Sequence, residues 1–171
     1  PSRFFCSLSI TIMDDLKLFT DGSVDPQSNI GYGAYLMVAE NGLSLDFLRC
    51  RVKVRRFENT SSTKLELQTL LWAMADAEIL GRRVRVYTDS QNIVGLMGRR
   101  DRLEKNGFQS KKNLRIRHHA LYQEFYHRMD LSDCEFIKVS GHRASHQKDE
   151  IDRIFTLVDR ASRNALRKEN P

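Results

Sequence analysis

The chain has 171 residues, 40% of them hydrophobic, and its 28 Lys and Arg against 22 Asp and Glu give a formal charge of +6 and a pI near 9.4. That length allows one well-cored α/β domain and is too short for two ordinary ones. The basic balance favours an anionic partner, nucleic acid or a membrane surface, while no run approaches the ~20 apolar residues that a membrane span needs.

Residues 1–14 carry a charge and then an apolar patch interrupted by Ser and Thr, with no small-residue cleavage site. They read as an N-terminal extension to a domain over 15–168 rather than as a signal peptide. Cys6, Cys50 and Cys134 lack the CxxC spacing of a zinc site or redox pair, so three free thiols in a reducing, cytoplasmic setting are expected.

The first strand, Lys17 to Ser23, is an apolar run that ends on a carboxylate, Asp21, followed at once by Gly22. A strand tip holds Asp21 rigidly and Gly22 keeps bulk away, so a metal ion or a phosphate backbone could approach. Residues 24–29 read as a turn and Ile30 to Ala39 as a second strand, in which Gly31 and Gly33 imply that something packs against the backbone. Glu40-Asn41-Gly42 makes a hairpin turn into a long third strand, Leu45 to Phe57. The hydroxyl-rich stretch Asn59 to Thr63 suits the cap of a helix that carries Glu66, buries Leu67, Leu70, Leu71, Met74 and Ala77, and stops at Gly81.

A fourth strand, Val84 to Thr88, ends on Asp89, and Ser90-Gln91-Asn92 opens a short helix. Hairpins followed by strand–helix–strand alternation predict an α/β fold with a mixed sheet and parallel crossovers. Asp21, Glu66 and Asp89 all lie beside apolar neighbours, where a carboxylate is costly unless paired or bound to a cation. From Arg99 to Arg117 the chain carries eight basic residues against Asp101 and Glu104. The run reads either as a solvated face or as a protrusion that grips nucleic acid, with Lys111, Lys112 and Arg115 as contacts.

A helix with Leu121, Phe125 and Met129 leads to a last strand, Glu135 to Val139, which ends in Ser140-Gly141-His142. After a polar loop, a helix from Asp149 to Lys168 turns Ile151, Ile154, Phe155, Val158, Ala161, Ala165 and Leu166 inward and Arg153, Arg160, Arg163 and Arg167 outward. Trp72, Tyr32, Tyr35 and Phe47 read as packing residues rather than base-stacking platforms.

Phe19-Thr20-Asp21-Gly22-Ser23, Leu65-Glu66-Leu67, Tyr87-Thr88-Asp89-Ser90-Gln91 and Val139-Ser140-Gly141-His142, in this order and on these elements, resemble type 1 ribonuclease H. The resemblance covers roughly residues 15 to 168. It implies a five-stranded mixed sheet (three antiparallel, then two parallel strands) flanked by helices, and endonucleolytic hydrolysis of the RNA strand of an RNA–DNA hybrid. It also implies that Asp21, Glu66 and Asp89 bind metal and that His142 assists proton transfer and product departure. Ser23, Ser62, Thr63 and Gln91 would touch the hybrid's minor groove, Ser62 standing where the family often has asparagine. The residues agree chemically. Asp and Glu oxygens suit two Mg²⁺ or Mn²⁺ ions, which can together activate water and stabilise the phosphoryl centre and leaving oxygen. Small polar groups and open backbone near Gly22 and Ser62 suit a test for the 2′-hydroxyl.

A fourth acid is contested. The family's final aspartate usually lies ten residues after the loop histidine, which from His142 lands on Asp152, whereas the flanking pattern fits Asp159, with Val158 before it and Ala161 and Ser162 after it. The two are seven apart and share a helical face, so periodicity does not decide. Helix-tail length favours Asp159. The same scaffold also serves binders that have lost turnover and nucleases of other specificity. The retained acids speak against the first and the lack of an added DNA-binding domain against the second. A monomer without membrane association is expected.

Overall fold

A computed structural model describes residues 15–76, 79–140 and 149–169. Five strands, β1 (Leu16–Asp25), β2 (Ile30–Val38), β3 (Lys53–Phe57), β4 (Arg83–Thr88) and β5 (Asp133–Lys138), form one sheet in the order β3-β2-β1-β4-β5. The pairs β1/β2 and β2/β3 are antiparallel, and β1/β4 and β4/β5 are parallel. The helices are α1 (Leu45–Arg49), α2 (Ser62–Met74), α3 (Gln91–Val94), α4 (Arg100–Lys105), α5 (His119–Asp130) and α6 (Glu150–Glu169). No helix among the described residues is long and apolar enough to cross a membrane.

Strand alternation divides the core in two. Leu16 and Leu18 of β1 join Tyr35, Met37, Val84 and Val86 under α2 and α5, where Leu67, Leu70, Leu71 and Phe125 close the layer. Phe19, Ala34, Leu36 and Tyr87 point the other way, under Ile154, Phe155 and Val158 of α6 and Leu48 of α1. Asp21 follows Phe19 by two residues and so belongs to the α6 side.

The glycines of β1 and β2 explain how close α2 lies. A Cβ on Gly33 would sit 2.1 Å from Thr69 Oγ1, one on Gly31 2.8 Å from Leu65 Cδ2, and one on Gly22 2.9 Å from the same side chain. The backbone approach expected at Gly31 and Gly33 is therefore made by α2. Trp72, half-buried, meets Tyr35 edge-on at 4.6 Å, and Tyr35 is a core residue.

Four expectations need correction here. The long third strand is instead α1 followed by a five-residue β3. Ser44 accepts a bond from the Phe47 amide at 3.3 Å and starts a helical turn that buries Leu48, which strand alternation would not do. Phe47 is consequently 49% exposed, with Arg51 over its ring, rather than packed. Helix α2 closes at Met74, where the Ala75 amide bonds back to Trp72 at 3.2 Å, and Gly81 (φ 71°) serves the turn before β4; Ala77 lies outside the described residues. The hydroxyls before α2 do not cap it: Ser61 makes no side-chain cap bond, and Thr60 Oγ1 donates to Gln68 Oε1 at 2.8 Å.

Gly33→Ala should destabilise the protein by about 1–3 kcal/mol through overpacking against Thr69, and Gly33→Ala with Thr69→Ala should recover part of that loss. Urea unfolding of the two variants checks this. A single variant as stable as the parent would mean that α2 can retreat at no cost.

Candidate active site

The site begins with the parallel pairing of β1 and β4. Phe19 is in register with Tyr87, and the two rings stack at 4.8 Å and 13°. Two residues further along each strand, on the same face, come Asp21 and Asp89. Parallel neighbours thus deliver two carboxylates to one place beside the carboxyl end of β4, where open α/β sheets commonly bind ligands. Asp21 is not at a strand tip as expected, because β1 leaves its pairing with β4 at Phe19 but runs on against β2 to Asp25, so that Val24 and Asp25 belong to the strand and not to the turn.

Glu66 arrives from the opposite layer on α2. Its Oε2 accepts from Ser90 Oγ at 2.6 Å and its Oε1 lies 3.5 Å from Ser62 Oγ. Ser90 also accepts from the Ile93 amide at 3.2 Å, so the residue that caps α3 is the one that orients Glu66. Helix α6 supplies Asp159, whose Oδ1 is 2.7 Å from Arg163 Nε, and Ser162, whose hydroxyl donates to Asp21 Oδ2 at 2.8 Å.

These groups line one open cavity of about 200 Å³, bounded by Thr20, Asp21, Gly22, Ser23, Ser62, Glu66, Thr69, Thr88, Asp89, Asp159 and Arg163. Asp152 does not line it. It is 6% exposed in the first turn of α6, where its amide donates to Asp149 Oδ1 at 2.8 Å. Seven residues advance a helix by ~10 Å, so although the two aspartates share a face, only Asp159 reaches the other acids. Gly22, Ser23 and Ser62 join the acids, while Thr63 and Gln91 lie outside the lining. Gln91 is exposed, and its Oε1 accepts from Lys138 Nζ at 2.6 Å. His142 lies outside the described residues.

Burial pushes the Asp21 carboxyl up to about 7, with the charges of Asp89 and Asp159 adding to the rise and the Ser162 hydroxyl and Gly22 amide opposing it. Glu66 is raised as well, first by burial and then by Asp89, against the pull of Ser90 and Ser62. Among the described residues no group of three or more His, Cys, Asp or Glu side chains forms a metal-holding cluster as they stand. The fit to a cation rests on the donor chemistry. The acids present hard oxygens only, the donor type that suits Mg²⁺ or Mn²⁺, and Asp21 and Glu66 are raised first by burial and then by the neighbouring carboxylates, a charge that a cation would offset.

The basic run divides in two. Arg99 donates to Gly95 and Asn92 carbonyl oxygens, and Arg100 holds Asp130 through two bonds of 2.6 and 2.8 Å, so both are structural. Lys111 and Lys112 stand exposed on a loop closed by the Gln109–Arg115 bridge, and Arg115 Nη1 lies 3.1 Å from His119 Nε2. Of the thiols, Cys50 and Cys134 are free, burial raises Cys134 to about 11, and Cys6 lies outside the described residues. Ser162 and Arg163 are site residues that the sequence does not flag, and Ser90, read there as the start of a short helix, also orients Glu66. Ser162 reads there only as a small residue, and Arg163 as part of the outward face.

Because Asp21 titrates higher in the folded than in the unfolded chain, stability falls as pH rises from about 4 through about 7. Without divalent cations, Asp21→Asn should therefore be more stable than the parent at pH 8, by on the order of 2–4 kcal/mol, with the gap closing toward pH 4. Thermal melts in EDTA across that range test it. A gap independent of pH would show that the ionised carboxylate is not what strains the site.

The family model for RNase H matches residues 13–162. Sequence comparison with curated proteins finds no relative. Among solved structures, the solution structure of the PFV RNase H domain matches with a TM-score of 0.70 and 17% identity, covering 88% of this chain and 93% of that one. A foamy viral protease-reverse transcriptase solved in complex with RNA/DNA hybrid matches with a TM-score of 0.67 and 14% identity over 89% of this chain, which spans 20% of that longer one. At such identities the structures establish the shared fold, and the family match, over most of the sequence, establishes the kinship: the chain belongs to the RNase H family.

Proposed function

We propose that the protein is a metal-dependent endoribonuclease that hydrolyses the RNA strand of RNA–DNA hybrids, acting as a monomer in a reducing, cytoplasmic setting. The observation that carries this reading is the convergence of Asp21, Glu66, Asp89 and Asp159 from β1, α2, the end of β4 and α6 on one polar cavity. A pure binder of phosphates gains nothing from that concentration of negative charge. Structures of the same fold solved with RNA/DNA hybrid or dsDNA bound support a nucleic-acid substrate.

Asp21, Glu66, Asp89 and Asp159 would hold two divalent cations, Mg²⁺ or Mn²⁺. When bound there, such ions activate water and neutralise charge on the phosphate and the leaving oxygen. The chain's own residues do the rest. Ser90 holds Glu66, the β1/β4 register sets Asp21 beside Asp89, and the stacked Phe19 and Tyr87 seal the floor behind them. Gly22 and Ser23, at the cavity wall beside Ser62, offer a hydroxyl and an unobstructed backbone to a minor groove, where a 2′-hydroxyl distinguishes RNA from DNA. Thr63 and Gln91, outside the cavity lining, would add contacts to the minor groove, Lys111, Lys112 and Arg115 would grip the backbone further out, and His142 would assist proton transfer and product departure.

End-labelled RNA–DNA hybrid, DNA duplex and RNA duplex, each incubated with and without Mg²⁺, should give cleavage of the hybrid's RNA strand alone, and only with the cation. Binding of the hybrid without cleavage would move the protein to the non-catalytic reading. Asp89→Asn and Asp159→Asn should each abolish cleavage with hybrid binding intact or tighter, because a ligand and a negative charge go while the shape stays. Asp152→Asn should keep kcat near that of the parent. A crippled Asp152→Asn beside an active Asp159→Asn would reverse the assignment.

Neutralising Lys111, Lys112 and Arg115 should raise KM, leave kcat unchanged and flatten the salt dependence of binding by up to ~0.9 for each phosphate left without its cation. An unaltered slope in a salt titration would return the loop to ordinary solvated surface.

A further inference from the structure

Ser162 lies on α6, three residues after Asp159, and is fully enclosed at 0% exposure. If its task were only to let the helix approach the sheet, alanine would serve better, since an enclosed hydroxyl costs desolvation unless it is bonded. Its Oγ is 2.8 Å from Asp21 Oδ2, 3.0 Å from the main-chain oxygen of Asp159 and 3.3 Å from Ser23 Oγ. A hydroxyl has one proton to give, and the carboxylate is both the nearer and the stronger acceptor, so the proton goes to Asp21. The lone pairs left on Ser162 then face the Ser23 hydroxyl, which can donate in turn. A chain of two hydroxyls thus runs from the cavity wall at Ser23, through α6, to a carboxylate on β1.

We infer that Ser162 is a positioning residue for the cation site. It locks the Asp21 carboxylate to the helical turn that carries Asp159, so that acids from the sheet and from α6 present themselves in one fixed relation, and it links Asp21 to Ser23. This inference rests on the metal-dependent nuclease reading above. Ser162 is absent from the cavity lining and acts chiefly through Asp21, its nearest side-chain partner, the contact with Ser23 being longer at 3.3 Å. Its removal frees the carboxylate to turn away from the geometry it shares with Asp159, which weakens capture of the cation without weakening capture of the nucleic acid.

The test uses the intact protein and the variants Ser162→Ala and Ser162→Cys, the second close to serine in size but a weaker donor. Thermal melts are recorded in EDTA and over a Mg²⁺ titration, and hybrid cleavage is measured over the same titration and over hybrid concentration. Ser162→Ala should raise the Mg²⁺ midpoint roughly 10-fold, both for thermal stabilisation and for cleavage, with KM for the hybrid unchanged and Ser162→Cys in between. If Ser162→Ala does not fold, the shift is read from Ser162→Cys alone. Midpoints equal to the parent's would overturn the inference and leave Ser162 a packing residue, and so would a raised KM with fixed midpoints, which would make it a substrate contact. A parent protein that Mg²⁺ neither stabilises nor activates would instead defeat the nuclease reading, and the role of Ser162 with it.

Discussion

Helix α2 can carry Glu66 to the ends of the central strands only because it lies almost on the backbone of β1 and β2. Gly22 and Gly33 are directly paired across the two strands, with Gly31 nearby, and each leaves a space that a side chain of α2 fills. Leu65 occupies two of those spaces and is 1% exposed, so the residue beside Glu66 is an apolar anchor set into the sheet. The depth of that anchor sets the reach of the acid. Everything else at the site, including the bond from Ser90 to Glu66, presupposes it.

The electrostatic arrangement follows from this crowding. Four carboxylates meet at one cavity, and each is restrained from a different direction: Asp21 by a hydroxyl on α6, Glu66 by a hydroxyl after β4, Asp159 by Arg163 one turn further along its own helix, and Asp89 by its place directly after the buried last residues of β4. Repulsion that would splay flexible side chains is instead absorbed by elements whose apolar sides are committed to two separate cores. Such a site costs stability in the absence of positive charge, as functional sites commonly do.

Much of this was legible in the residues. Asp21 and Asp89 stand out because each follows a mostly apolar strand run, and Glu66 because it lies among apolar neighbours on its helix, where a carboxylate is costly unless paired or bound to a cation. The choice between Asp152 and Asp159 was open because both satisfy the helical period, and what separates them is distance along the axis, which needs the docking of α6. Helix α1 was hidden because five residues capped by one serine leave too little pattern to compete with the alternation of the next strand. Ser162 and Arg163 were hidden for another reason: a small residue reads as spacing, and an arginine on the polar side of a helix reads as solvent until its long side chain is seen to bend back.

The register of β1 against β4 has a bearing on how such a chain can change over evolutionary time. Side chains alternate along a strand, so one residue gained or lost between Leu16 and Asp21 would carry the acid through the sheet to the α2 side and offer Thr20 or Gly22 in its place. No gradual path leads across that step. Length variation is thereby driven out of the central strands and into the connections between elements, where a lineage can lengthen a turn, add a helical segment or graft a new loop while the chemistry at the sheet edge stays where it was.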